Sequence, residues 1–240
     1  MLRRRLGRVR AAAPDAPVDP GALRHFEQFM AEGDLVFDIG ANVGDKTRIF
    51  REIGASVVAV EPEPRALAEL GRRFGDDPGV RICAHAVAQD AGRLALRLND
   101  RLDLASGSAE WISAMRRSGR FGECEWHESI SVESRTLDQL ISEHGMPRFC
   151  KLDIEGFELE ALNGLSRPLP AASFEFAAEA RHLAIACTQR LLSLEQTYEF
   201  ALGFGESMTL DRWDSGPEVG RTLEGLTGER TWGDVYARAG

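Results

Sequence analysis

Leu35-Val-Phe-Asp38-Ile-Gly40-Ala-Asn42-Val-Gly44-Asp-Lys46-Thr47 begins as a short apolar run and ends in a turn carrying two glycines. A strand that runs into a glycine turn and then a helical pattern is the opening unit of a parallel α/β sheet. Its turn brings backbone close to a ligand at the carboxyl ends of the strands. The alternation continues outward. Ser56-Val-Val-Ala-Val-Glu61 reads as a second strand, Pro64 to Phe74 as a helix with proline in its first turn, and Val80 to Ala84 as a third strand. Upstream, Pro20 to Glu32 sets Leu23, Phe26, Phe29 and Met30 on one helical face. Leu94 to Leu98 alternates with arginine, which places it at a sheet edge or in a hairpin. Downstream, Thr136 to Glu143, Gly156 to Leu165 and Ala184 to Leu194 read as helices, and Arg148 to Asp153 and Phe174 to Ala178 as strands. Tyr198 to Leu202 and Ser207 to Leu210 are the last strand candidates. The pattern predicts a single α/β domain over 20–240, a mostly parallel sheet between helices, with an irregular insertion at 99–128. Residues 1–19 read as a flexible basic arm.

Of the 240 residues, 43% are apolar and 28% charged, which excludes a disordered or fibrous chain. Lysine and arginine number 29 against 38 acidic residues, and a net charge of −9 argues against a nucleic-acid partner. No apolar run approaches the roughly 20 residues of a membrane span. The N-terminus is basic but lacks the apolar block of a signal peptide, so a cytoplasmic protein is expected. Cys83, Cys124, Cys150 and Cys187 form no CxxC pair and have no histidine at metal-ligand spacing, so no metal is expected. Oligomeric state stays open, with a homodimer one option.

Three ligands compete for the first turn. A phosphate loop needs glycine immediately before Lys46-Thr47, and Asp45 occupies that place. A nicotinamide site needs GxGxxG, but Asn42 replaces the second glycine, and Asp38 at the strand end would face a pyrophosphate. S-adenosylmethionine carries no phosphate and bears two cations, so an acidic strand end attracts it. Glu61 ends the second strand, where a carboxylate can accept hydrogen bonds from both ribose hydroxyls. A second dense stretch, Phe149-Cys-Lys151-Leu-Asp153-Ile-Glu155-Gly156-Phe-Glu158-Leu-Glu160, ends another strand with Asp153, opening onto the same crevice. Glu158 and Glu160 read as solvent-facing residues favourable to a helix N-terminus.

Phe37 to Gly44 with Thr47, Val60-Glu-Pro-Glu-Pro64, Thr136-Leu-Asp138, Lys151 to Glu158 and Leu162-Asn-Gly164 together resemble the FkbM family of S-adenosylmethionine-dependent methyltransferases. The resemblance implies a Rossmann-like class I methyltransferase fold with a seven-stranded sheet, and methyl transfer to a hydroxyl of a small molecule such as a sugar or natural product. Carried onto this chain, it implies cofactor contacts at Asp38, Gly40, Asn42, Gly44, Thr47, Glu61 and Pro62. His85, Ala86 and Val87 become the adenine wall, and Asp153 and Glu155 the site beside the methyl group. His182, following the Phe174 strand, is the candidate general base. A nitrogen- or macromolecule-directed methyltransferase and a nicotinamide oxidoreductase or non-catalytic nucleotide-binding module are the competing readings. Acceptor specificity is assigned to Asn99 to Glu128, whose Ser106-Gly107-Ser108 and Ser118-Gly119 permit movement and whose Trp111, Phe121 and Trp126 offer apolar surface. The alternative is a surface loop whose aromatics plug a satellite core.

Overall fold

The computed structural model describes residues 17–240 apart from 123, 206, 208, 211 and 227–230. Most of the arm expected at 1–19 therefore lies outside the described residues. Helix α1 (Pro20–Phe26) leads into β1 (Leu35–Ile39), α2 (Asp45–Ile53), β2 (Ser56–Val60), α3 (Pro64–Phe74) and β3 (Val80–Cys83). Next come β4 (Ala86–Val87), β5 (Gly92–Asn99), α4 (Ala109–Ser118), β6 (Trp126–Arg135) and α5 (Leu137–His144). The last part holds β7 (Phe149–Leu152), α6 (Glu158–Asn163), β8 (Ala171–Ala177) and α7 (Arg181–Leu194). It closes with β9 (Glu199–Phe204), β10 (Asp214–Ser215), α8 (Gly216–Glu224) and β11 (Trp232–Arg238).

The main sheet runs β10-β9-β11-β8-β7-β1-β2-β3. Strands β3, β2, β1, β7 and β8 are mutually parallel, and β11 is antiparallel to both β8 and β9. This is the seven-stranded class I arrangement that the resemblance implies, extended at one edge by the two-residue β10. The chain moves outward from β1 to β3 and then returns to β7 on the other side of β1. The crevice between β1 and β7 is therefore the topological switch point, where such sheets bind ligands.

Strand periodicity decides which face each side chain joins. Phe37, Val58 and Leu152 pack with α5 to α8 through Leu140, Leu162, Leu191 and Leu223. Their strand neighbours Val36, Val57 and Phe149 face α1 to α3 through Phe26, Phe50 and Leu70. Phe149 is fully buried, stacked on Phe29 at 5.1 Å and edge-on to Phe26 and Phe50.

Two stretches depart from the sequence reading. Residues 99–128 are not irregular, because they contain α4. The serine and glycine pairs that read as mobile are helix ends: the Ser108 hydroxyl accepts from the Trp111 amide at 3.1 Å, and Gly119 closes the helix in the left-handed region. The segment joins β5 to β6, which pair with β4 in a separate three-stranded sheet. The second departure is C-terminal. Ser207, Thr209 and Leu210 lie outside any strand, while α8 and β11 had no sequence signal. Gly233 and Asp234 interrupt the apolar pattern of β11 although it lies between β8 and β9.

Replacing Phe149 by alanine should cost about 3–5 kcal/mol of stability through lost burial and a residual cavity. Urea unfolding followed by circular dichroism checks this, and a loss under about 1 kcal/mol would contradict the packing described.

Candidate active site

The first turn is built around a close approach. Gly40 adopts φ +80°, and a Cβ there would lie 1.9 Å from the Asp153 carbonyl oxygen. Only glycine lets the turns after β1 and β7 meet. Asn42 is also left-handed, at φ +50°, which aims its amide at Glu61 Oε2, 2.8 Å away. The Glu63 amide donates to Glu61 Oε1 at 2.7 Å. Burial pushes the Glu61 pKa up to about 7, against the pull of these two amides.

Glu61 faces a cleft together with Gly40, Asn42, Pro62, Ala86, Val87 and Asp153, all of them sequence-predicted. Leu94 and Leu96 of β5 cover it from the small sheet. His85 also lines it, and burial lowers the imidazole's pKa.

Asp38, Gly44 and Thr47 do not line the cleft, which corrects their assignment as cofactor contacts. Asp38 is 1% exposed and accepts a 2.6 Å hydrogen bond from the Thr47 hydroxyl. A Cβ on Gly44 would strike Phe74 and Leu70, so that glycine serves the packing of α2 on α3. These three hold the turn in place and line neither cleft.

A larger cleft of about 500 Å³ adjoins the first and shares Gly40, Asn42, Asp103, Asp153 and Glu155 with it. Its floor comes from Glu175 on β8 and Trp232, Asp234 and Tyr236 on β11; Trp111 and Phe121 stand among its other walls. Lys151, with a side chain 4% exposed, donates to Asp153 Oδ2 at 2.5 Å. Burial opposes the Asp153 carboxylate, but Lys151 outweighs it and holds that pKa below the usual range. Glu155 and Glu175 behave oppositely. Burial first, then neighbouring carboxylates, push both well above the ordinary glutamate value. One oxygen from each of Asp153, Glu155 and Glu175 lies within 4.8 Å of the others, a separation at which three hard oxygens can also converge on a divalent cation. Sequence spacing did not reveal that grouping.

Glu158 is not solvent-facing as its helix position suggested. It is buried, and its Oε1 accepts from the amides of Ile154 and Gly156 at 3.0 and 3.3 Å, which fixes the turn bearing Glu155. His182 is the larger correction. β8 ends at Ala177 and a tight turn over Ala178–Ala180 carries the chain outward, so His182 lies in the first turn of α7. Its side chain is 55% exposed, its Nε2 sits 2.9 Å from Glu110 Oε1, and it lines neither cleft. Glu175, five residues into β8 and missed by the sequence reading, takes the inward place. Its signal was one acid inside the apolar run Phe174-Glu-Phe176. Trp126 is core as well: its indole donates to the Leu104 carbonyl at 2.6 Å, and it stands edge-on to Trp111 at 5.9 Å. Of the two tryptophans, Trp111 alone reaches the larger cleft.

Residues 38–186 match the methyltransferase FkbM domain. The chain belongs to the FkbM methyltransferase family. It is 28% identical over 151 residues to the 2-O-methyltransferase NoeI of Sinorhizobium fredii, covering 58% of this chain and 60% of that protein. It is 24% identical over 146 residues to the hexuronic acid methyltransferase AglP of Haloferax volcanii, covering 60% of this chain and 54% of that protein. The match thus spans less than two thirds of either relative. A solved precorrin-6Y C5,15-methyltransferase from Geobacter metallireducens is similar over 91% of this chain and 85% of its own, at 9% identity and a TM-score of 0.49. Among the described residues no helix is long and apolar enough to cross a membrane.

The raised acids make stability depend on pH. Glu61 and Glu158 titrate near 7 in the folded protein against 4.5 ordinarily, and Glu155 and Glu175 are raised too. These four acids bind more protons in the native state than in the unfolded chain across that window, the lowered His85 opposes them only in part, and stability falls as pH rises through it. The lowered acids, Asp77 and Asp153 among them, act only at the acid end, where their contribution is lost as pH falls below the usual carboxylate range. Thermal melting of the ligand-free protein should decline from about pH 5 to about pH 7.5, and Glu155→Gln should flatten part of that decline. A melting temperature that rises across the window would contradict the burial of these groups.

Proposed function

We propose that the protein transfers a methyl group from S-adenosylmethionine to a hydroxyl of a small polyhydroxylated acceptor such as a sugar. One observation carries the choice of cofactor. The first cleft is lined by the carboxyl groups of Glu61, Asp103, Asp153 and Glu155 and by no lysine or arginine. That surface offers oxygen acceptors to a cofactor with a sulfonium and an ammonium and gives a pyrophosphate no cation, which disfavours the nicotinamide reading. Each Glu61 oxygen already holds one backbone amide and keeps a lone pair free for a ribose hydroxyl. When bound, S-adenosylmethionine supplies a methyl group activated by the sulfonium.

The chain's own residues then position two reactants and manage one proton. Ala86, Val87 and Leu96 provide an apolar slot for the adenine, and the turn from Gly40 to Asn42 runs alongside the amino-acid portion. Asp153 and Glu155 stand where the two clefts join and would flank the methyl group of the bound cofactor. In the larger cleft, acids on the floor accept hydrogen bonds from acceptor hydroxyls, and Trp232 offers apolar surface to a sugar. The names of the two relatives, one a 2-O-methyltransferase and one acting on hexuronic acid, support a sugar hydroxyl. A cytoplasmic, single-domain enzyme over 20–240 is part of the same reading.

Calorimetry with S-adenosylhomocysteine and with NAD tests the cofactor, and saturable binding of NAD alone would overturn it. Glu61→Ala should weaken S-adenosylhomocysteine binding by about 1.5–3 kcal/mol, or roughly 10- to 150-fold. Affinity unchanged in a folded variant would remove Glu61 from the site. Homocysteine release measured over a panel of methyl glycosides and methyl glycosiduronates tests the acceptor class.

A further inference from the structure

Methyl transfer to a hydroxyl leaves a proton that the protein must accept, and His182 is outside the clefts. Of the other candidates, Asp153 is held by Lys151, Asp103 is paired with Arg101, and Asp45 is paired with Arg73. His85 lies at the adenine end of the smaller cleft. Two carboxyls remain at the junction without a hydrogen bond or ion pair to a described residue: Glu155 and Glu175.

In-line displacement separates them. The acceptor oxygen approaches the methyl carbon from the side opposite sulfur, so the proton acceptor must stand on the acceptor's side. Glu155 lines both clefts and so borders the cofactor, whereas of the two clefts Glu175 lines the larger alone. We propose that Glu175 is the general base for the acceptor hydroxyl, an assignment that rests on the methyl-transfer reading above. As the carbon–oxygen bond forms, the carbon–sulfur bond breaks with its electron pair left on sulfur, and the hydroxyl proton passes to a Glu175 carboxylate oxygen.

The surroundings suit that task. Glu175 stands opposite Asp234 in the β8–β11 register. Lys151 faces it from β7, Asp153 and Glu155 from the following turn, and Glu158 from α6. Burial, then Asp153, Glu158 and Asp234, raise its proton affinity, and Lys151 restrains the rise. A carboxylate with raised proton affinity is a better base than an ordinary glutamate near neutral pH. Asp153 stays ionised beside Lys151, so charge at the junction is divided between a fixed anion and a group free to change protonation.

The test compares wild type with Glu175→Gln, which keeps size and fold. S-adenosylhomocysteine affinity should stay within about twofold, because an acceptor-side base does not hold the cofactor. On the glycosides that wild type methylates, kcat should fall roughly 10²- to 10⁴-fold and the rise of rate with pH should disappear. An unchanged kcat or pH profile overturns the proposal. So does a strict requirement of wild type for added Mg²⁺ or Mn²⁺ with loss of activity in a chelator, which would make the three carboxylates metal ligands. A readout independent of the acceptor is the carbon-13 titration of labelled glutamate carboxyls in the S-adenosylhomocysteine complex, with Glu175 assigned by its absence in the variant. Its resonance should titrate above the ordinary glutamate range, and one that stays ionised down to that range sinks the assignment. Failure of wild type to bind S-adenosylhomocysteine is a different result: it refutes the methyltransferase reading itself, and the base falls with it.

Discussion

A buried lysine holds the site together. Lys151 is the third residue of β7, register partner of Asp38 across the β1–β7 ladder, and its ammonium bonds to Asp153. Burial works against its charge, but Asp153, Asp234 and Asp38 outweigh it and hold its pKa above the usual lysine value. Removing one member of such a buried arrangement costs about 3–5 kcal/mol, because the remaining charges lose compensation. The arrangement is therefore rigid by necessity. Asp38 in turn anchors Thr47 and with it the start of α2, and Asp153 meets Gly40 by direct backbone approach. Both walls of the crevice are thus referred to one cation.

That cation is not enough for all the acids around it. Glu155, Glu158 and Glu175 crowd the same end of β7 and β8, and their raised pKa values measure how poorly the fold compensates them. Glu158 is satisfied by two amides and fixes a turn. Glu155 and Glu175 gain nothing comparable from the protein. A fold under selection for stability alone would place apolar side chains at Glu175, between Phe174 and Phe176. Uncompensated groups concentrated in one cleft are the usual mark of a functional site, and the cost is carried by the two aromatic and aliphatic cores on either side of the sheet.

How much of this was legible depended on whether a feature is local. The β1 turn, the β2 acid and the Lys151–Glu158 stretch are contiguous motifs, and Gly40, Asn42, Glu61, Asp153 and Glu155 from them line one cleft. Asp38 and Thr47 failed as cleft residues for a geometric reason: the Thr47 hydroxyl donates to Asp38 inside the turn, and spacing alone does not tell which way a strand-end side chain points. His182 failed because β8 stops at Ala177 and the following turn reverses the outlook by a few residues. The Ser and Gly pairs flanking α4 misled because capping residues and mobile loops share a composition. β11 was illegible because Gly233 is needed for close approach to Gly203 and Asp234 for the site, and both erase the apolar pattern of a central strand.

The two clefts draw on different parts of the chain. The smaller is walled by the turns after β1, β2, β3 and β7 and roofed by β5, all within the 38–186 stretch that matches the family. The floor of the larger comes in part from Trp232, Asp234 and Tyr236 on β11, beyond that stretch. β11 reaches the site because it enters antiparallel between β8 and β9, which brings its beginning to the edge where the parallel strands end. On the proposed reading, the shared family stretch holds the cofactor and the chemistry, and the reversed strand contributes what this chain adds for its own acceptor. Substitutions along one face of β11 can then reshape the acceptor floor while Glu61 and the first turn stay as they are.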